Sequence, residues 1–216
     1  MNLANKLTIL RIILVPIIVI TYYYQKLSGC SMAFLNIPVT NWIIILLFIL
    51  ASYTDHLDGK IARKKDMITN FGKFADPLAD KILIITSMLL LVESGKLPAW
   101  IPIIIIFREF AVSGYRLIAV QNNGQVIAAN IWGKIKTVTQ MIAIVLMYIS
   151  NYSYFKFIFR ASSAEVAIAS SAGVYMSTGE YIINILASIF MTIALITTII
   201  SGWSYLKNAK DLLKSK

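Results

Sequence analysis

Charged residues are scarce in this sequence. Only 14% of the 216 residues are Asp, Glu, Lys or Arg, while 58% are hydrophobic. An ordinary soluble domain carries about 25% charged residues, so this composition excludes an ordinary soluble domain. The apolar residues form six stretches, and the shorter ones must extend into polar residues to reach the roughly 20 residues of a membrane span. The stretches are 8–24, 42–54, 82–92, 101–120, 138–149 and 181–205. We therefore predict an all-α integral membrane protein with six transmembrane helices, forming one domain over residues 1–216.

Cysteine is almost absent as well. Cys30 is alone, which excludes an intramolecular disulfide and a zinc site built on thiolates. The first ten residues are more mixed than the stretch that follows, because Asn2, Asn5, Lys6 and Thr8 interrupt the apolar residues. This pattern predicts an N-terminal amphipathic helix lying at the membrane interface before the first span.

Acidic residues are fewer than basic ones: the sequence has 10 Asp and Glu and 20 Lys and Arg, which gives a net charge of +10. With six spans and both termini inside, all but four of the basic residues fall on or towards the cytoplasmic side, as the positive-inside rule expects. The four on the outside are Lys26, Lys96, Lys156 and Arg160. We predict a multi-pass protein of the cell (inner or plasma) membrane with its basic side, and its active site, facing the cytoplasm. Nucleic-acid binding is excluded, because no soluble basic domain exists to carry it.

Five of the ten acidic residues nevertheless lie between positions 55 and 80. Asp55 and Asp58 are spaced i,i+3, and Asp76 and Asp80 are spaced i,i+4, so each pair shares one face of a helix. Charges in a span cost about 2.5 to 3.5 kcal/mol each on insertion scales, which favours a functional role. Clustered carboxylates repel one another unless cations neutralise them, and oxygen ligands suit Mg²⁺, Mn²⁺ or Ca²⁺. The alternative is four helix-end aspartates solvated at the interface.

Small residues and an arginine accompany these aspartates. Gly59 and Gly72 permit a ligand to approach the backbone closely, Ala62 leaves room beside it, and Arg63 can bind a phosphate through its planar fork. The string is Asp55-x-x-Asp58-Gly59-x-x-Ala62-Arg63, then eight residues, then Gly72-x-x-x-Asp76-x-x-x-Asp80. This pattern resembles the signature of the CDP-alcohol phosphotransferase family at eight positions.

The resemblance implies a six-span enzyme, usually a homodimer, that cleaves a CDP-linked substrate, joins its phosphate-bearing half to an alcohol and releases CMP. It also implies two divalent cations, Mg²⁺ or Mn²⁺. One ion would be held by Asp55, Asp58 and Asp76, and the second by Asp55, Asp76 and Asp80, with Asp80 also the general base. The CDP pocket would be lined by Gly59, Ala62, Arg63 and Gly72.

Charged residues later in the chain are candidates for binding the alcohol acceptor. Arg108 and Arg116 lie on the fourth predicted span with Glu109, and Lys134 and Lys136 open the fifth. We predict that the four cations bind the phosphate of an anionic acceptor. The alternative is that they extend to the membrane interface and that Glu109 only pairs with an arginine. The two lysines point about 200° apart on a helix, so the sequence leaves open which of them faces the site.

Residues 108–116, 133–137 and 5–11 are similar to the bacterial phosphatidylglycerophosphate synthases, a branch of this family, and this similarity implies that Thr8 contacts the nucleotide. It also implies that CDP-diacylglycerol and sn-glycerol 3-phosphate are the substrates. A sister enzyme with another acceptor (inositol phosphate or phosphatidylglycerol) is an alternative within the family. A divalent-cation transporter is an alternative from another class, but Arg63 would repel the ion.

Overall fold

The computed structural model describes residues 3–28, 33–35, 37–65, 70–121, 131–154 and 178–213, with side chains described except at 3–7, 55–65, 70–77, 80, 116–121, 178 and 204–213. This part of the chain forms six helices and one two-stranded hairpin. The elements are α1 (Leu3–Ser28), β1 (Ala33–Phe34), β2 (Ile37–Pro38), α2 (Val39–Lys65), α3 (Asn70–Glu93), α4 (Trp100–Gln121), α5 (Ile131–Ile149) and α6 (Thr178–Leu213). Each of the six apolar stretches lies inside one helix, so the prediction of a helical protein is confirmed.

Among the residues that the structure describes, two helical segments, Thr8–Ser28 and Gly179–Trp203, are long and apolar enough to cross a membrane, and Val39–Thr54 is a shorter apolar segment. Six spans therefore remain a prediction. The interfacial N-terminal helix is not observed as a separate element, because α1 continues without interruption through the first apolar stretch. The physical reason is local: residues 3–10 contain neither glycine nor proline, so nothing ends the helix before the span begins.

Several polar side chains are buried among the apolar core residues, and many large apolar side chains are exposed. On α1, Ile13 and Ile20 are 50% and 66% exposed, whereas Thr8 and Arg11 are almost fully buried. Polar groups within membrane helices face the interior of the protein, where they find partners, and apolar ones face lipid. The other buried polar residues are Asn41, Ser87, Lys136, Gln140, Ser150, Asn184, Ser188, Thr197, Thr198 and Ser201. This arrangement is typical of a membrane protein.

The chain divides into two compact units, Met1–Ser94 and Gly95–Lys216. In unit 1, α1 packs against both α2 and α3, and the core includes Ile18, Phe48 and Leu83. The hairpin before α2 pairs Ala33 with Pro38 and Phe34 with Ile37. Unit 1 therefore holds both helices of the aspartate signature.

In unit 2, α6 packs against α4 and α5. The turn before α4 carries Lys96, whose Nζ donates to the carbonyl oxygens of Met147, Tyr148 and Ser150 at 3.3, 3.4 and 2.5 Å. These carbonyls belong to the last turn of α5 and the residue after it, where no helical N–H is available to them. Burial lowers the pKa of Lys96 to about 8. Lys96 therefore caps α5 from a distant part of the sequence.

Candidate functional site

The aspartate signature lies on two helices of unit 1. Asp55 and Asp58 are in α2, which continues beyond its apolar part to Lys65, and Asp76 and Asp80 are in α3. The helical spacing assumed for each pair is thus confirmed for the backbone, and α2 and α3 contact each other. The structure does not describe the side chains of these four aspartates or those of Ala62 and Arg63. The surroundings of Gly59 and Gly72 are likewise outside the described part.

Metal ligation, CDP contacts and the role of Asp80 therefore stay predictions. Elsewhere, the side chains that the structure does describe include no group of three or more His, Cys, Asp or Glu residues that could hold a metal ion. The donor chemistry of the signature itself fits a divalent cation, because it consists of carboxylate oxygens from two adjacent helices.

Thr8, the predicted nucleotide contact, is fully buried on α1, and so is Arg11 one turn later. Arg11 Nε donates to the carbonyl oxygen of Ala51 on α2 at 3.3 Å, and the Thr54 hydroxyl donates to the same oxygen at 2.7 Å. Ala51 lies one helical turn before Asp55. Arg11 thus connects α1 to the signature helix, a role that the sequence analysis missed by counting it only as a cytoplasmic charge. Its position inside an apolar stretch could have indicated burial.

In unit 2, two cationic side chains share the carboxylate of Glu109. Glu109 Oε1 on α4 accepts from Arg108 Nη1 at 2.7 Å and from Lys136 Nζ on α5 at 2.5 Å. The exposed fractions of the Arg108, Glu109 and Lys136 side chains are only 12, 20 and 6%. We call these three residues the Glu109 cluster. It carries one surplus positive charge in a largely desolvated place, where an anion would interact strongly with it.

The last helix also contributes to this cluster. Arg108 Nη2 donates to the hydroxyl of Ser201 on α6, a residue 93 positions away. Gly202 follows, and a Cβ built there would lie 3.2 Å from Arg108 Cγ. Arg108 is therefore held by α6 as well as by Glu109. Nothing in the apolar pattern of α6 predicts that Ser201 contacts an arginine on another helix, so the sequence alone did not reveal this role.

The four residues predicted to bind the acceptor phosphate differ in where the structure places them. Arg108 and Lys136 are brought together on Glu109, whereas Lys134 is exposed on the same helix as Lys136. This agrees with the opposite directions predicted for the two lysines and identifies Lys136 as the inward one. The Arg116 side chain lies outside the described residues.

A cavity of about 240 Å³ opens beside Arg108 between α4 and α6. Its walls include Phe107, Tyr115, Thr198 and Trp203, and Phe107 and Trp203 are 74% and 72% exposed. The lining is mostly apolar, so it suits a hydrocarbon group better than a phosphate.

Comparison with known proteins places these features in a family. The family model of CDP-alcohol phosphatidyltransferase matches residues 1–204. The chain belongs to the CDP-alcohol phosphatidyltransferase family. This confirms the resemblance carried by the eight-position signature, and the match extends beyond the signature to include the Glu109 cluster and Ser201 on α6.

Two of the bacterial relatives match nearly the whole chain, and a third matches about two thirds of it. A protein of Bacillus subtilis (strain 168) named CDP-diacylglycerol--glycerol-3-phosphate 3-phosphatidyltransferase is 37% identical over 215 residues, which is 99% of this chain and 98% of the relative. A protein of the same name from Rickettsia felis is 33% identical over 209 residues, 97% of this chain and 96% of the relative. A probable phosphatidylglycerophosphate synthase of Mycobacterium tuberculosis (strain ATCC 25618 / H37Rv) is 40% identical over 143 residues, 66% of this chain and 64% of the relative.

Proposed function

We propose that this family member transfers the phosphatidyl group of CDP-diacylglycerol to the 1-hydroxyl of sn-glycerol 3-phosphate, giving phosphatidylglycerol phosphate and CMP. The observation that carries the proposal is the similarity, over 99% of the chain, to a relative that bears the name of this activity. The signature of four aspartates and the Glu109 cluster support it, because the reaction requires both phosphate activation and an anion site.

In the proposed reaction the 1-hydroxyl oxygen attacks the phosphorus that carries the diacylglycerol group. The bond from that phosphorus to the bridging oxygen breaks, and CMP leaves with that oxygen. Asp80 accepts the proton of the attacking hydroxyl. Thr8, Gly59, Ala62, Arg63 and Gly72 contact the CDP portion, where Arg63 can bind phosphate oxygens through its fork.

Asp55, Asp58, Asp76 and Asp80 would hold two divalent cations, Mg²⁺ or Mn²⁺. When bound, such ions neutralise the pyrophosphate and stabilise the charge that develops on the attacking and leaving oxygens. The family generally uses divalent metals, and the carboxylates of this chain supply the oxygen donors that these ions prefer.

The acceptor phosphate is assigned to Arg108 and Lys136, together with Arg116 and Lys134. Glycerol 3-phosphate carries close to two negative charges, and it must approach a pyrophosphate that is also anionic. The surplus positive charge of the Glu109 cluster offsets this repulsion, since its groups are largely shielded from water. A neutral alcohol acceptor would gain nothing from it.

A direct test is CMP release from CDP-diacylglycerol by the purified protein, measured with glycerol 3-phosphate, inositol phosphate, phosphatidylglycerol, free inositol and free serine. Glycerol 3-phosphate should be used in strong preference to the others. Activity should require added Mg²⁺ or Mn²⁺ and disappear in excess chelator. Efficient use of free inositol or serine would contradict the anion site, and full turnover in chelator would contradict the metal assignment.

For the membrane arrangement we propose six spans, a cytoplasmic active site and a homodimer. The basis is the positive-inside bias, together with the family resemblance for the dimer. In intact cells an impermeant thiol reagent should label native Cys30 and should not label Lys214→Cys in a Cys30→Ser background. The reverse pattern would overturn the orientation. The mass of the purified protein in a mild detergent, corrected for bound detergent, tests the dimer.

A further inference from the structure

We infer that Ser201 and Gly202, on the last helix, position Arg108 for the acceptor phosphate. The inference rests on the proposed function, because it assumes that Arg108 binds that phosphate. It goes beyond that function by giving α6 a part in substrate selection. Ser201 and Gly202 act through Arg108 and are positioning residues, not catalytic ones.

The Arg108 guanidinium is held at two of its nitrogens by two different helices. Nη1 donates to Glu109 on α4 at 2.7 Å, and Nη2 donates to the Ser201 hydroxyl on α6. A free arginine side chain samples many rotamers, and fixing it costs about 2 kcal/mol of conformational entropy. Since these two contacts are made before substrate binds, that entropy is already lost when a phosphate arrives.

The aliphatic part of Arg108 packs against Gly202. Gly202 lets the Arg108 side chain lie directly against the backbone of α6, because a Cβ there would come within 3.2 Å of Arg108 Cγ. Gly133, on α5, has a looser relation to the same side chain: a Cβ there would lie 4.0 Å from Arg108 Nη2 and 4.0 Å from Ser201 Oγ. The Arg108 side chain therefore lies among α4, α5 and α6, with its Cγ close to Gly202 and its guanidinium nearer Gly133.

Ser201 differs from neighbouring hydroxyls of α6 in having a charged partner on another helix. Thr197 donates to Ile193 and Thr198 to Ala194, both within α6. The Ser201 hydroxyl oxygen accepts from the Arg108 guanidinium of α4. Packing of α6 alone does not require such a contact, which therefore links the last helix to the cation.

The test measures separate KM values for glycerol 3-phosphate and CDP-diacylglycerol in wild type, Ser201→Ala and Ser201→Thr. Ser201→Ala leaves Arg108 bonded to Glu109 and loses only the positioning contact, so the KM for glycerol 3-phosphate should rise about three- to tenfold, less than on losing a direct charge-assisted contact to the phosphate. The KM for CDP-diacylglycerol should stay within about twofold. Ser201→Thr keeps the hydroxyl and should restore most of the acceptor affinity. A purely structural role would instead lower Tm and affect both substrates together.

Three glycine-to-alanine variants give an independent test that does not alter the hydroxyl. The new Cβ would be 3.2 Å from Arg108 in Gly202→Ala and 4.0 Å from it in Gly133→Ala, and in Gly114→Ala it meets no described atom within 4 Å. The KM for glycerol 3-phosphate should therefore rise in Gly202→Ala and stay near the wild-type value in Gly133→Ala, where 4.0 Å is an ordinary van der Waals distance, and in Gly114→Ala, which is the matched control. The same contrast is expected even if Ser201→Ala proves too unstable to purify.

Two outcomes would overturn the inference while leaving the proposed function intact: an active wild type whose acceptor KM is unchanged in both Ser201→Ala and Gly202→Ala, or equal changes in the KM of both substrates. The proposed function fails differently. If the wild type released CMP only with another phosphorylated acceptor, that function would be wrong, while a selective rise in the KM for that acceptor would still support the positioning role.

Discussion

Units 1 and 2 both place charged residues on largely apolar helices, but the signs and sequence separations of those charges differ. In unit 1 the four aspartates of the signature lie on α2 and α3, within 26 consecutive positions of the sequence. In unit 2 a glutamate lies between two cations, one of them 27 residues away. Like charges on adjacent helices require an external cation, whereas the mixed cluster largely neutralises itself.

The difference explains why one site can be recognised from local sequence and the other cannot. A like-charge cluster has no purpose in a membrane helix unless it binds something, so its spacing alone predicts a metal site. A mixed cluster can be structural, functional or both, and only its surplus charge and its surroundings indicate binding. The following predictions test whether the two units differ in this way.

The largest effect is expected in unit 1. Asp76→Asn should reduce kcat by far more than tenfold, because the resemblance assigns Asp76 to both metal ions and an amide cannot replace that charge. Asp66→Asn is the matched control, since Asp66 lies between the two pairs at a variable position of the signature. CMP release at saturating substrates and metal is the measurement. A variant that kept more than about a tenth of the rate, equivalent to about 1.4 kcal/mol, would contradict the shared-ligand assignment.

The next effect concerns the acceptor cations of unit 2. Arg116→Ala and Arg108→Ala should each raise the KM for glycerol 3-phosphate about ten- to a hundredfold, because a charge-assisted contact to phosphate contributes roughly 1.5 to 3 kcal/mol. The KM for CDP-diacylglycerol should change far less. Initial rates with each substrate varied in turn provide both values. Equal effects on the two substrates would point to misfolding or to a nucleotide contact.

A smaller effect separates the two lysines of α5. Lys136→Met should lower the free energy of unfolding by about 1 to 3 kcal/mol, because it removes a buried ionic hydrogen bond to Glu109. Lys134→Met, two positions away and exposed, should stay within about 0.5 kcal/mol of wild type. Thermal unfolding in the same detergent gives the comparison. If the two variants had equal Tm values, the Glu109 cluster would contribute nothing to stability.

The last effect, a pH dependence at Lys96, appears only above about pH 8. Its pKa is about 8 in the folded protein and 10.5 as the ordinary value, so between these limits the unfolded chain binds more protons. Stability from this group therefore rises with pH across that window, by up to about 1.4 kcal/mol per pH unit. Below pH 8 both states are protonated and the burial penalty is constant. The Tm of wild type relative to Lys96→Met should increase from about pH 8 to about pH 10; a constant difference would contradict the burial of a charged amine.

Much of the fold was predictable because its determinants are local. A run of apolar residues favours a helix wherever the rest of the chain lies, and all six predicted stretches lie in helices. The aspartate spacing is equally local, since helical periodicity alone puts Asp55 with Asp58 and Asp76 with Asp80. The interfacial N-terminal helix was the weak prediction, because a mixed polar pattern of ten residues does not determine where one helix ends and another begins.

The sequence by itself thus determined the helical segments, the basic bias and the signature that assigns the family. Tertiary structure decided which side chains meet: Lys136 and not Lys134 on Glu109, Ser201 on Arg108, Arg11 on the Ala51 carbonyl, and Lys96 on the end of α5. Those contacts join residues 27 to 93 positions apart. No local period encodes such separations, because they depend on how whole helices rotate and pack against one another.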